Sequence, residues 1–113
     1  MHEGVDIAAA TGSVVRAPAA GRVVYVGTKE NFGNYVAIDH GGGLTTHYGH
    51  LSSSLVADGD EIRLGTPIAL VGSTGRSTGP HLHYEIRVMD LPVDPRTYLP
   101  EDPEEEPLLA QGP

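Results

Sequence analysis

Cysteine is absent from this chain of 113 residues, and with it go disulfides, thiolate metal sites and thiol nucleophiles. Lysine occurs once, as Lys29 in Thr28-Lys29-Glu30-Asn31. No basic stripe is present to displace phosphate counterions, so nucleic acid is not an expected partner. No apolar run approaches the roughly 18–20 residues that a helix needs to cross a bilayer. No charged segment followed by an apolar run opens the chain, so no signal peptide is expected in it. The formal net charge is -8, unevenly placed: residues 101–106 hold five acids and no base, which leaves ten acids against seven bases, or -3, elsewhere.

Glycine (15) and proline (9) are plentiful, which favours short strands joined by turns. Apolar runs at 14–15, 22–26, 35–40, 44–48, 61–64, 66–71 and 81–88 are separated by turn residues such as Gly41-Gly42-Gly43 and Asp58-Gly59-Asp60. Six or seven strands are therefore predicted, in an all-β, small antiparallel sheet fold with long Gly-rich loops. Asp39, Asp58 and Asp60 read as turn residues. Residues 100–113 (PEDPEEEPLLAQGP) hold four prolines and five acids; they are expected to form a disordered tail beyond a single domain at 1–99.

The chemistry concentrates at the two ends. In His81-Leu82-His83-Tyr84-Glu85-Ile86-Arg87-Val88 the polar and apolar positions alternate, so a strand here would project His81 and His83 from one face. His2 and Asp6 stand near the start. Imidazole and carboxylate are ordinary zinc ligands, and three of them with one open position make a catalytic zinc site. His2, Asp6 and His83 are the expected ligands, with a turn at Gly4 letting the first two converge. His81, and His50 at the end of the 44–48 strand, are the expected acid–base pair. His40 and His47 alone read as surface or satisfied core residues. Glu85 either orients a ligand or pairs with Arg87.

At these residues a resemblance becomes specific. His2-Glu3-Gly4-Val5-Asp6, Tyr48-Gly49-His50-Leu51 and Gly72-Ser73-Thr74-Gly75 followed by Thr78-Gly79-Pro80-His81-Leu82-His83-Tyr84-Glu85 resemble the signature blocks of the lysostaphin/LytM-type zinc metallopeptidases, peptidase family M23. The likeness runs in order over residues 2–99, through Gly33-Asn34-Tyr35-Val36, Gly59-Asp60-Glu61-Ile62 and Val93-Asp94-Pro95. It implies an antiparallel β-fold with the active site in a groove across the sheet. It also implies zinc on His2, Asp6 and His83, with His50 and His81 as the catalytic histidines. The implied reaction is endopeptidase cleavage of peptidoglycan peptides, in the extracellular or periplasmic cell envelope. Family domains usually begin one strand earlier, so an N-terminally shortened domain with an exposed sheet edge is expected.

Two other classes compete. Family members that lack ligands act as regulators, so a non-catalytic wall-binding or hydrolase-activating module is the alternative. The segment 58–71 also resembles the hairpin of biotinyl and lipoyl carriers, but those need a lysine at a tight turn, and Lys29 does not match. A phosphohistidine carrier would leave His2 and Asp6 idle.

Overall fold

Alternation and turn chemistry build nine strands over the described residues, 4–89 and 91–93 of a computed structural model. They are β1 (Val5–Ala8), β2 (Val14–Arg16), β3 (Gly21–Lys29), β4 (Gly33–Asp39), β5 (Leu44–Ser54), β6 (Glu61–Ile62), β7 (Pro67–Val71), β8 (His81–Val88) and β9 (Leu91–Val93). Every pairing is antiparallel, and no helix occurs among the described residues. The main path runs β1-β8-β5-β4-β3-β6; β7 pairs with β5 and β2, and β9 with β8. The predicted all-β antiparallel class is observed.

The two extra strands are the ones whose sequences carry little signal. β1 has only four residues, and β9 contains Pro92. Proline cannot donate to a ladder, so it argues against a strand except at an edge, and among the described residues β9 pairs only with β8. β5 also runs past the expected end at Tyr48. Its first part pairs with β8 from Leu44 to Gly49, while Leu51, Ser53 and Ser54 pair with β7. The strand changes partner at His50, which takes φ 60, beside a register shift between Leu51 and Ser53. Such irregularities bend a strand and re-aim a side chain. One expectation is corrected here: His50 lies inside a strand, at its bend, and the strand continues to Ser54. The expected strand at 61–64 is shorter, ending at Ile62.

Leu82, Tyr84 and Ile86 of β8 join Val36, Ile38, Tyr48, Leu51, Ile68 and Val71 in one buried cluster. His81, His83, Glu85 and Arg87 take the alternate positions and face the other way. Asp60 serves a turn as expected, its carboxylate accepting from the Ala57 amide (2.9 Å), whereas Asp39 is the last residue of β4, its carboxylate accepting from the Gly41 amide (2.8 Å). The residues read as a tail, 100–113, lie outside the described residues, as does His2.

Two loops clasp each other above the bend in β5. The Arg76 amide donates to Asn31 O at 2.9 Å, and the Thr74 hydroxyl donates to Leu51 O at 2.6 Å while accepting from the Asn34 amide at 3.1 Å. Gly33 and Gly75 meet back to back, at φ 64 and 75. A Cβ on Gly75 would stand 2.4 Å from Gly33 N and 2.6 Å from Phe32 C. Gly75→Ala should therefore lose about 2–4 kcal/mol of stability, from backbone strain plus overpacking. At Gly59 (φ 93) a Cβ would meet nothing within 4 Å, so Gly59→Ala should lose only the backbone part, about 1–2 kcal/mol. Denaturant midpoints of the two variants measure the difference; equal losses would mean the clasp is looser than this.

Candidate functional site

The antiparallel register sets Asp6 opposite His83 and Ala8 opposite His81. Asp6 Oδ1 lies 3.0 Å from His83 Nδ1 and 3.5 Å from His81 Nε2. On the other side of β8, Gly49 is the partner of His83. The absence of a side chain there admits Phe32, whose ring centroid is 4.8 Å from that of His83. The bend in β5 brings His50 to 4.6 Å from His81 and 6.2 Å from His83, ring to ring. Asp6 and His50 thus both lie against the histidine pair of β8. Gly4 permits close approach: a Cβ there would come within 2.6 Å of Tyr84 O and 2.9 Å of His83 Cε1. The turn expected between His2 and Asp6 reaches residues outside the described ones.

Hydrogen bonds fix which nitrogen each ring presents. His50 Nδ1 is 2.7 Å from Thr74 O, and His81 Nδ1 is 2.9 Å from Gly79 O. A carbonyl only accepts, so both neutral rings carry their proton on Nδ1 and leave Nε2 as a lone pair. His83 is wired differently. Its Nδ1 faces Asp6, and its Nε2 faces Glu85 Oε2 at 3.5 Å. Glu85 is 2 % exposed, and its other oxygen accepts from Arg87 Nε. Glu85 therefore contacts both the His83 ring and Arg87.

Burial disfavours the imidazolium of His83, but hydrogen bonds to Glu85 and Asp6 outweigh it and raise its pKa above the ordinary value. Burial likewise works against the Glu85 carboxylate, and hydrogen bonds from His83 and Arg87 more than compensate, so its pKa is lowered. For the metal-free protein the signs are opposite. The His83 contribution is complete below the unfolded value of 6.5 and fades as pH rises through the raised folded value. The Glu85 contribution is complete above 4.5 and fades as pH falls through the lowered one. Thermal melts in chelator should accordingly give the highest midpoint between about pH 4.5 and 6.5. A metal-free midpoint that climbs steadily from pH 6 to 9 would contradict this wiring.

The donor chemistry fits a zinc ion. A carboxylate oxygen and an imidazole nitrogen converge, and the far nitrogen of that imidazole points to a buried carboxylate, as it does in histidines that ligate zinc. Among the described residues no group of three such side chains suffices to hold a metal; the third expected ligand, His2, is outside them.

Other histidines are accounted for. His40 contacts Ala20 O at 2.8 Å and Thr46 Oγ1 at 2.7 Å. His47 is 8 % exposed and sits across from Glu85. Two residues of the site escaped sequence reasoning. Phe32 is the sole phenylalanine and roofs His83. Thr74 holds His50, and nothing but its place in a glycine-rich loop hinted at that.

The profile described as peptidase family M23 matches residues 1–95. The chain is 50% identical over 95 residues to the DD-carboxypeptidase/endopeptidase Mpg of Neisseria meningitidis, covering 84% of this chain and 22% of that protein. It is 40% identical over 97 residues to the murein hydrolase activator EnvC of Escherichia coli, covering 86% and 23%. The fold superimposes on a zinc-containing peptidase from Vibrio cholerae with a TM-score of 0.79 and 42% identity, covering 81% of this chain and 28% of that one. The chain thus spans about a fifth of the length of the curated relatives it matches.

Proposed function

This chain belongs to peptidase family M23, and from that premise we propose that it is a zinc-dependent endopeptidase acting on the peptide cross-links or bridges of bacterial peptidoglycan. The observation that carries the reading is the convergence of Asp6 and His83 beside two histidines whose Nδ1 atoms are anchored on backbone carbonyls. Its relatives include Mpg, whose name states an endopeptidase activity. The proposed place of action is the cell envelope, extracellular or periplasmic.

Asp6 and His83, with His2, would hold the zinc. When bound, the ion would supply Lewis acidity, lowering the pKa of water to ~7 and polarising a carbonyl oxygen. His50 and His81 are the proposed catalytic residues. Their Nδ1–H groups are anchored on carbonyls, so each ring turns a basic nitrogen toward the groove. The ring that takes the proton of the attacking water returns it to the leaving amine, while the other, in its protonated form, donates from Nε2 to the developing oxyanion. Glu85 holds the ring of His83 against rotation, and Phe32 covers it on one side, which limits water at the reacting centre.

The second reading, a non-catalytic module that binds the wall or activates other hydrolases, is favoured by the likeness to EnvC. Retention of Asp6, His50, His81 and His83 in one groove supports the enzymatic reading over it. The test is incubation of the zinc-loaded protein with cross-linked muropeptides, with products read by mass spectrometry. Cleavage that a chelator stops and zinc restores is the expected result. Intact cross-links after incubation with the folded, zinc-loaded protein would leave the activator reading standing.

A further inference from the structure

Beyond His83 runs a row of rings. Phe32 lies 4.8 Å from His83, Tyr35 5.8 Å from Phe32, and Tyr25 6.0 Å from Tyr35, centroid to centroid. At the far end stands Lys29, whose ammonium is 4.9 Å from the centroid of Tyr25 and 4.9 Å from that of Tyr35. Both rings are held in place: Tyr35 is 2 % exposed, and the Tyr25 hydroxyl donates to Thr28 O at 2.7 Å. Arg22 and Arg87 have glutamate partners, Glu61 and Glu85. Lys29 takes part in no ion pair among the described residues. Ring faces attract an ammonium without neutralising it. The only lysine of an acidic chain is therefore positioned at the end of this row of rings with its charge available.

We propose that Lys29 is a carboxylate-binding subsite of the groove, which selects peptides bearing a free carboxylate a few residues from the bond that is cut. An ammonium offers donors only, and its bonds to an ionised carboxylate are stronger than those to a neutral carbonyl. An extended peptide advances about 3.3 Å per residue, so a short stem peptide lying along the rings reaches from His83 to Lys29. The proposal rests on the enzymatic reading for its consequence in specificity, while the binding preference itself does not require turnover.

The experiment compares a stem tetrapeptide carrying its free carboxyl groups with the same peptide fully amidated. Calorimetry with the full chain should show the acid form bound about fivefold more tightly, the size of an exposed ion pair, with the preference shrinking in high salt. Lys29→Met should abolish the preference and leave zinc content unchanged, and Lys29→Arg should keep most of it. On cross-linked substrates in the two forms, the same ratio should appear in KM and not in kcat. Equal binding of the two peptides by the unsubstituted protein, or a preference that survives Lys29→Met, overturns the subsite. A preference lost on Lys29→Met, in a protein that cleaves neither substrate, sustains the subsite and overturns the enzymatic reading alone.

Discussion

Replacing His83 with alanine is expected to cost this protein its metal and all measurable cleavage. His83 is the one side chain in the groove with a carboxylate on each side, Asp6 at Nδ1 and Glu85 at Nε2. Losing a partner that merely supports a ligand lowers metal affinity roughly 10–100-fold, and losing the ligand itself should exceed that. The substitution also leaves buried Glu85 with Arg87 as its remaining partner in the groove, so thermal melts must accompany the assay. Zinc content after dialysis, measured by elemental analysis on the folded variant, checks the prediction. A stoichiometric ion retained by His83→Ala would remove this residue from the metal centre.

Replacing His81 with alanine should do something different: zinc stays, and turnover falls by roughly 10²–10⁴, the range for loss of a general acid or base. His81 approaches Asp6 only at 3.5 Å, and its Nδ1 is occupied by Gly79 O, so it contributes a proton-exchanging nitrogen more than a ligand. It is a cleaner test than His50, because an alanine at φ 60 adds backbone strain to the loss of the imidazole. Paired zinc and rate measurements on His81→Ala and His83→Ala separate the two roles. Zinc lost from the first and kept by the second would reverse the assignment.

What could be read from the residues follows from how local the signal is. The face of β8 was legible because strict alternation puts His81 and His83 on one side whatever the rest of the sheet does. The meeting of Asp6 with His83 was legible as a matter of ligand chemistry; the turn expected to bring His2 beside Asp6 reaches residues outside the described ones. Gly4 is needed because the chain passes against Tyr84 O and the His83 ring, a contact between residues 80 positions apart. The bend at His50 was not legible, because nothing in Tyr48-Gly49-His50-Leu51 marks a non-glycine residue at positive φ. The exchange of partners from β8 to β7 that causes it is a property of the whole sheet. The clasp of Gly33 on Gly75, and through it the anchoring of His50 by Thr74, likewise needs two distant loops to be in place before either glycine has a purpose.

The account depends on a single cation drawing the start of the chain onto β8. Crystals of the zinc-loaded protein, with anomalous scattering collected on both sides of the zinc edge, test it most directly. The account predicts one strong peak bonded to Asp6, His83 and His2, with His50 and His81 facing it unbonded. A zinc peak elsewhere, or one at β8 with the His2 ring turned away into solvent, would contradict it.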